Sequence, residues 1–132
     1  MVSNANVLAN SQLIFRDQGH SSESIGVSWL PVFHDMGLMG GIFQPLFGGF
    51  PMVLMPPAAF LQKPSRWLQA ITRYKATFSG GPNFAYDICA NEIPKETLGQ
   101  YDLSTWTAAI NGAEPIQPNT IKQFTQHFAP CG

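Results

Sequence analysis

Charged residues are scarce in this chain. Asp, Glu, Lys and Arg together make up 11% of its 132 residues, whereas soluble domains ordinarily carry about a quarter. The apolar share is 45%, which is ordinary, so the polar outer surface is what is missing. Faces that pack on other polypeptide carry few charges. The composition therefore leaves two interpretations open, a compact and weakly charged domain or one part of a larger domain.

Charge and cysteine usage exclude several classes of partner and compartment. The formal net charge is −1 and there is no run of Lys or Arg, so we expect neither nucleic-acid binding nor attraction to an anionic membrane surface. The N-terminus has no basic segment ahead of an apolar core, which argues against a secretory signal. Cys89 and Cys131 lie far apart without a pairing pattern. Free thiols in a reducing cytoplasm are the expectation.

One long stretch of the chain, Met36–Gln62, carries no charge at all. It is long enough to cross a bilayer. It also contains four prolines and five glycines, namely Pro45, Pro51, Pro56, Pro57, Gly37, Gly40, Gly41, Gly48 and Gly49. So many breakers would expose unpaired backbone groups to lipid. We therefore predict buried turns and a short strand here, and no membrane span.

Helical and strand patterns alternate along the chain. The predicted helices cover Asn4–Asp17 and Gly37–Phe47, with three more that begin near Pro64, Asn83 and Asn119. The predicted strands cover Ser24–Leu30, Pro51–Met55, Ala76–Ser79 and Trp106–Ile110. This repeat predicts an α/β fold, with a mainly parallel sheet flanked by helices.

The predicted strands end in segments that contain glycine or proline. These read LPVFHDMG, MPP, SGGP and INGAEP. Ligands of parallel α/β sheets bind beyond the carboxyl ends of the strands, and glycine lets a backbone approach a ligand closely. We therefore predict that the four segments converge on a binding site.

The adjacent pair His34 and Asp35 follows the first strand. Neighbouring residues on a turn cannot form the hydrogen bond of a catalytic dyad. His20 and His127 show no ligand spacing, and neither do the cysteines, so we predict no metal site. Two interpretations stay open for His34: a donor near a developing negative charge, or a structural histidine that holds the turn.

Three further segments each have a functional and a structural interpretation. Ser79–Pro82 before a helix is typical of an anion-binding loop, yet it lacks the lysine of a Walker sequence, and the pattern alone favours a tight turn. Asn111–Pro115 can receive a planar ring, with Asn111 and Glu114 as polar handles, or is a plain glycine turn. The third segment is rich in large apolar residues, which either line an apolar tunnel or belong to the ordinary core. They are Met36, Leu38, Met39, Ile42, Phe43, Leu46 and Phe47.

Taken together, three stretches resemble the fatty acyl-AMP ligases of the adenylate-forming superfamily. They read SWLPVFHDMGLMGGIFQPLFGGFPMVLM, FLQKPSRWLQAITRYKATFSGGPNFAYDIC and DLSTWTAAINGAEP. The resemblance covers Val2–Gly132 and implies part of a large N-terminal domain. It also implies a parent enzyme that uses ATP and Mg²⁺ to convert a fatty acid into an acyl-adenylate and pyrophosphate. The acyl group would then pass to the phosphopantetheine thiol of an acyl carrier protein, in polyketide or nonribosomal peptide assembly.

The resemblance also implies roles for individual residues. His34 matches a motif histidine that stabilises charge and places the carboxylate. Asn111, Gly112, Ala113, Glu114 and Pro115 match the adenine-binding segment. Ser79, Gly80, Gly81 and Pro82 match the loop beside the acyl pocket. Met36 and Gly37 would flank the acyl chain.

Several family elements have no counterpart in these residues. They are the lysine-containing phosphate loop, the ribose-binding aspartate and the catalytic lysine of the C-terminal domain; we also expect no ligand of the Mg²⁺ ion here. We therefore expect residues 1–132 to form one partial domain that makes no acyl-adenylate alone and self-associates through exposed apolar faces. An acyl-CoA synthetase fragment remains an alternative, although HDMG and SGGPNFAYD favour the AMP ligases. A non-catalytic acyl- or nucleotide-binding module is the other alternative.

Overall fold

Four short parallel strands organise the chain. A computed structural model, which describes Met1–Gly132, places them at β1 (Gly26–Ser28), β2 (Met52–Leu54), β3 (Phe78–Gly81) and β4 (Ala108–Asn111). Their order in the sheet is β2-β1-β3-β4, and every neighbouring pair is parallel. The predicted α/β fold with a mainly parallel sheet is confirmed.

Three of the strands are shorter than the sequence pattern predicts, most clearly β1, whereas β3 keeps its predicted length but begins two residues later. The Ser28 hydroxyl accepts a hydrogen bond from the Leu30 N–H at 3.2 Å, which turns the chain out of the ladder after Ser28. At the other end, the Ile25 N–H donates to the Thr77 hydroxyl at 3.0 Å instead of to a strand carbonyl. Side chains thus satisfy the backbone on both sides of a three-residue strand.

Seven α-helices connect and cover the strands. They are α1 (Asn4–Asp17), α2 (Asp35–Leu38), α3 (Gln44–Gly48), α4 (Pro57–Gln62), α5 (Ser65–Tyr74), α6 (Asn83–Glu92) and α7 (Pro118–Phe128). A π-helical turn, Met39–Phe43, joins α2 to α3, and two 3₁₀ turns cover Lys95–Gln100 and Ala129–Cys131. The sequence pattern missed α4 and the 3₁₀ turns, because elements of six residues or fewer span too few turns to show a periodicity. None of the helices combines the length and apolar character that a bilayer crossing requires.

The helix ends follow simple capping chemistry. At α1 the Ser3 hydroxyl accepts from the Asn6 N–H at 3.2 Å, and the Asn6 side-chain oxygen accepts from the Ser3 N–H at 3.0 Å. This is a reciprocal capping box. The expected cap at Asn119 is wrong by two positions: α7 follows Gln117 and starts at Pro118, whose fixed φ suits a first helical position.

The helices cover the two faces of the sheet in separate groups. On one face α1 packs on α3, and a Cβ built on Gly41 would lie 3.6 Å from the Ser28 hydroxyl. On the other face the Trp67 indole of α5 donates to the Ser79 hydroxyl at 2.7 Å. The connection after β1 leads outward to β2, whereas the next connection returns past β1 to β3. The β1–β3 pair is therefore the switch point at which such sheets bind ligands.

An aromatic cluster fills the core under α5 and α6. Trp29 stacks on Phe60 with ring centroids 4.1 Å apart, and Trp67 meets Tyr86 edge-on at 5.4 Å. These four side chains are all buried. Helical spacing predicts that Phe84 in α6 and Ile121 in α7 point into the core, but they are 39% and 37% exposed. Phe84 is the second residue of α6, and its ring only meets the edge of this cluster, with its centroid 6.1 Å from that of Trp29.

The Ser79 hydroxyl links this core to the sheet, since it also donates to the Val27 carbonyl at 2.6 Å. We expect Ser79→Ala to cost about 1–3 kcal/mol of unfolding free energy, because it leaves the Trp67 indole N–H buried without an acceptor. Urea unfolding followed by tryptophan fluorescence measures this loss. Ser22→Ala, at an exposed position, is the control and should change the free energy by less than about 0.5 kcal/mol. Equal stability of the two variants would contradict the assignment.

Candidate functional site

The ends of β3 and β4 lie side by side. In the register of this pair Gly80 is opposite Ile110 and Gly81 is opposite Asn111. The SGGP and NGAEP segments therefore leave the sheet together, as the strand-end argument predicts. The MPP segment leaves β2, which β1 separates from β3. It therefore leaves the sheet beside the segment that follows β1 and is separated from the SGGP and NGAEP segments.

Asn83, the first residue of α6, ties these segments together. Its side-chain oxygen accepts from the Gln117 N–H at 3.0 Å and from the Asn111 amide at 3.5 Å. Its own amide donates to the Thr120 hydroxyl at 3.2 Å. One buried amide thus connects the end of β4, the loop after it and α7. The sequence pattern assigned Asn83 only to a helix start.

Glu114 holds the loop after β4 against α6. Its carboxylate accepts from the Phe84 N–H at 2.6 Å, in the first turn of α6, where a negative charge also meets the positive end of the helix dipole. The sequence presented Glu114 as a polar handle for a bound ring. In the structure this oxygen positions the loop instead.

Asn111 carries a buried side-chain oxygen with no hydrogen-bond partner. Its amide nitrogen is turned toward Asn83, which leaves the oxygen as an acceptor at the carboxyl end of β4. Buried polar atoms are nearly always paired, and exceptions occur at functional sites. The position is therefore suited to accept a hydrogen bond from a ligand.

Ala113 has a left-handed backbone, with φ of 68°. The neighbouring Gly112 does not adopt a positive φ, although glycine is the residue that tolerates it best. A left-handed conformation costs an L-residue about 1–2 kcal/mol, and such strain collects at ligand-binding loops. The sequence pattern gave no sign of it, because the expected position for a special backbone is the glycine.

We expect Ala113→Gly to raise the free energy of unfolding by up to about 1 kcal/mol, since glycine relieves the strain. Ala113→Val should lower it by more than that, because a β-branched side chain makes a positive φ worse. Thermal unfolding of the variants measures both effects. Gly112→Ala is the matched control: a Cβ there meets no atom within 4 Å, so it should not be destabilising. A less stable Ala113→Gly variant would contradict the strain.

His34 is the N-cap of α2 and is held on both sides. Its ring Nδ1 accepts from the Met36 N–H at 3.2 Å, and its backbone N–H donates to the Pro31 carbonyl at 3.1 Å. A Cβ on Gly37 would clash with that same carbonyl, so glycine permits the tight entry to α2. Because Nδ1 accepts, the neutral ring carries its proton on Nε2. The side chain is 49% exposed, so one nitrogen caps the helix while the other can donate outward.

An apolar cavity of about 190 Å³ lies between the sheet and the segment Asp35–Gly48. Sulfur and hydrocarbon side chains dominate its wall, among them Met36, Met39, Met52, Phe78 and Ile110. Ser79 and Gly80 line it from the end of β3. It is smaller than the roughly 300–1,000 Å³ of whole small-molecule sites, so this cavity suits one apolar part of a ligand.

The structure divides the predicted tunnel residues. Met36 and Met39 line the cavity, but Leu38, Ile42, Phe43, Leu46 and Phe47 do not. Leu46 is 76% exposed, on a side of α3 that faces solvent. Gly37 contacts Pro31 instead of the cavity, and Gly81 faces Trp29 on the opposite side of the sheet. Polar residues normally indicate which face of a helix is exposed. This segment is continuously apolar, so its sequence pattern could not distinguish the residues that line the cavity from those that face solvent.

Gln44 is a fully buried polar residue in the cavity wall, and the sequence analysis did not single it out. Its amide nitrogen donates to the Ser11 carbonyl at 3.3 Å, which joins α3 to α1. Its oxygen has no partner. The signal that could have found it is its spacing, eight residues after Met36 and four after Gly40, on one face of a helix.

The two cysteines are unpaired thiols, and burial keeps them protonated. Both are buried thiols, and burial, with a smaller effect of Glu92, raises the pKa of Cys89 to about 12. Burial also raises the pKa of the Cys131 thiol. Nucleophilic chemistry needs a thiolate, and burial disfavours the thiolate form of both cysteines. No three His, Cys, Asp or Glu side chains cluster in a way that could hold a metal ion.

These features define an α/β ligand-binding unit, with glycine-containing loops at the switch point of a parallel sheet and an apolar cavity beside them. The profile of the AMP-binding enzymes matches residues 1–131. The chain belongs to the AMP-binding enzyme family.

Several curated relatives of the chain are named as fatty-acid ligases. The medium-chain-fatty-acid–[acyl-carrier-protein] ligase TtuA of Teredinibacter turnerae is 43% identical over 132 residues, which are 100% of this chain and 21% of that protein. The probable long-chain-fatty-acid–AMP ligase FadD30 of Mycobacterium tuberculosis is 47% identical over 118 residues, 88% of this chain and 20% of that protein. The chain therefore spans about a fifth of the length of these relatives. The resemblance to fatty acyl-AMP ligases is confirmed.

Solved structures agree with this placement. A fatty acyl-adenylate ligase from L. pneumophila, in complex with acyl adenylate and pyrophosphate, superposes with a TM-score of 0.97 at 48% identity, over 100% of this chain and 23% of that one. The adenylation domain of a keto acid-selecting peptide synthetase module, bound to keto acyl adenylate, gives a TM-score of 0.89 at 30% identity, over 96% and 23%. The fold is that of the N-terminal domain of adenylate-forming enzymes.

Proposed function

We propose that this chain is one part of the N-terminal domain of an ATP-dependent ligase that converts a fatty acid into an acyl-adenylate. The observation that carries the proposal is the apolar cavity, which lies beside the SGGP and NGAEP segments at the switch point of the sheet. An apolar cavity suits a hydrocarbon tail, and the strand ends suit a nucleotide. Residues 1–132 then form a partial domain, in keeping with their share of each relative.

The nucleotide end of the site is Asn111–Pro115. The unpaired Asn111 oxygen accepts a hydrogen bond from the exocyclic amine of adenine. The left-handed Ala113 turns the loop so that its backbone lies along the face of the ring. Glu114 acts as a positioning residue through its bond to the Phe84 N–H, and Gly112 and Pro115 complete the loop.

The reacting end of the site is His34. In the reaction a carboxylate oxygen of the fatty acid attacks the α-phosphorus of ATP. The bond between the α-phosphorus and the oxygen that bridges it to the β-phosphate breaks, and pyrophosphate leaves. The Nε2–H of His34 donates to the carboxylate and α-phosphate oxygens, on which negative charge develops as the reaction proceeds. The Met36 N–H holds the ring in place through its bond to Nδ1. Mg²⁺, when bound, neutralises phosphate charge. We assign no residue of this chain to it, because no acidic cluster is present among them.

The second step of the proposed reaction passes the acyl group to a carrier protein. The thiol of the phosphopantetheine arm attacks the acyl carbonyl and AMP leaves with the electron pair of the broken bond. Two relatives are named as medium-chain-fatty-acid–[acyl-carrier-protein] ligases, TtuA and JamA, which supports this acceptor. A reducing cytoplasm is the compartment we propose, since both cysteines are unpaired thiols.

Transfer to coenzyme A is the second candidate. It is favoured by a relative named as a putative fatty-acid–CoA ligase, fadD25 of Mycobacterium tuberculosis, which is 38% identical over 136 residues. The full-length enzyme, given ATP, fatty acid and CoA, decides between the two. Release of pyrophosphate and accumulation of acyl-adenylate without acyl-CoA supports the carrier-protein ligase. Ready accumulation of acyl-CoA overturns it, and the absence of any adenylate would favour a non-catalytic binding module.

We expect His34→Ala in the full-length enzyme to lower kcat/KM for acyl-adenylate formation about 10²-fold or more, the usual effect of losing one donor to a developing charge. Pyrophosphate release measures the rate. His34→Asn is the matched variant, because asparagine is a strong N-cap but lacks the Nε2–H. It should keep the wild-type melting temperature and lose the activity. Wild-type activity of His34→Asn would assign the histidine to capping alone.

The isolated chain should self-associate and should form no acyl-adenylate. Phe33 is 92% exposed and Leu46 is 76% exposed, and apolar surface of this kind drives association in water. Sedimentation of the chain should show species larger than the monomer at micromolar concentration. The double substitution Phe33→Ser and Leu46→Gln should shift it toward monomer, whereas the surface change Ser22→Ala should not. A monomeric wild-type chain would contradict the expectation.

A further inference from the structure

The cavity owes part of its shape to the π-helical turn Met39–Phe43. In this turn the Gln44 N–H donates to the Met39 carbonyl, five residues back instead of four. Pro45 explains the turn: a proline has no N–H, and its ring would clash with the carbonyl four residues earlier, that of Gly41. Widening the helix just before Pro45 relieves this clash. Single π-helical turns of this kind are frequent at functional sites.

Gly40, in the middle of this turn, differs from the other glycines of the segment. It lines the cavity, and a Cβ built on it would meet no heavy atom within 4 Å. By contrast, a Cβ on Gly37 would clash with the Pro31 carbonyl, and one on Gly48 would clash with the Phe50 ring. Gly40 does not have a positive φ either. Neither packing nor backbone conformation requires glycine at this position.

A glycine without a structural reason weakens its helix relative to alanine. The space that the missing side chain leaves is cavity space, and Met36, Gly40 and Gln44 line it in order along one face of the helical segment. His34 caps the start of the same segment. A ligand with its carboxylate at His34 would therefore run past Met36 first, then Gly40, and reach the buried Gln44 last.

We propose that Gly40 determines the length of the acyl chain, because the acyl tail occupies the space over its backbone. The proposal rests on the proposed function as an acyl-adenylate-forming ligase. Larger side chains at position 40 would fill the cavity between the sheet residues Phe78, Gly80 and Ile110 and the helical segment. Long acyl chains would then be excluded, while short ones would still reach His34 and the nucleotide.

The test uses the full-length enzyme with Gly40→Ala and Gly40→Leu, and a series of saturated fatty acids from short to long. We expect Gly40→Leu to lower kcat/KM for the longest well-used acids by about tenfold or more, the scale on which one methylene is discriminated in an apolar pocket. The shortest acids and the KM for ATP should be unchanged. Gly40→Ala should lower kcat/KM for the longest acids by a smaller factor. If the leucine variant does not fold, the alanine variant still tests the proposal.

Gly99→Leu is the matched control. A Cβ on Gly99 also meets no atom within 4 Å, but this glycine is exposed on a 3₁₀ turn, so its variant should keep the wild-type length profile. An unchanged profile in both Gly40 variants would overturn the proposal. So would an equal loss for acids of every length, which would mean a general disturbance of the site.

Binding measurements separate this proposal from the proposed function. Isothermal titration of the same fatty acids into the wild type and the Gly40 variants reports the cavity without any reaction. If the wild type formed no acyl-adenylate, the proposed function would fail. A length-dependent loss of affinity in Gly40→Leu would still support the role of Gly40, and no length dependence would overturn it.

Discussion

Parallel pairing of β3 with its two neighbours is the constraint on which the rest of the structure depends. On one side β3 pairs with β1, and on the other its register sets Gly81 opposite Asn111. The Ser79 hydroxyl in this strand joins β1 to the tryptophan core by two hydrogen bonds. Strand position and core packing are thus fixed together. Every segment of the candidate site leaves the sheet from these strands or is tied to them.

The candidate site consists of two regions that are held in place by different interactions. The side proposed for the nucleotide is a loop held by Asn83 and Glu114 against the start of α6, with its strain concentrated at Ala113. The side proposed for the acyl chain is a helical segment that meets the sheet through apolar contacts and is joined to α1 by one buried amide, Gln44. Hydrogen bonds specify the position of a planar ring, whereas apolar walls specify only volume. The division suits a ligase that has one nucleotide and a tail of variable length.

The fold could be predicted from the sequence to a large extent, because periodicity and glycine placement are local signals. Four strands, the main helices and the meeting of SGGP with NGAEP all followed from them. The rest depends on tertiary contacts. No local pattern indicates that Glu114 binds a helix start, that Ala113 takes the left-handed backbone in place of Gly112, or that Leu46 faces solvent while Met39 lines a cavity. The uncharged stretch was the least informative, since its apolar residues leave no polar face to orient the helix.

The buried thiols have a practical consequence for testing the proposed transfer to a carrier protein. Cys89 and Cys131 are inaccessible, and burial raises the pKa of both. An electrophilic acyl analogue that reacts with the thiol of a phosphopantetheine arm would find no competing thiolate within these residues. Mechanism-based crosslinkers can therefore be used on this part of the enzyme without first replacing its cysteines.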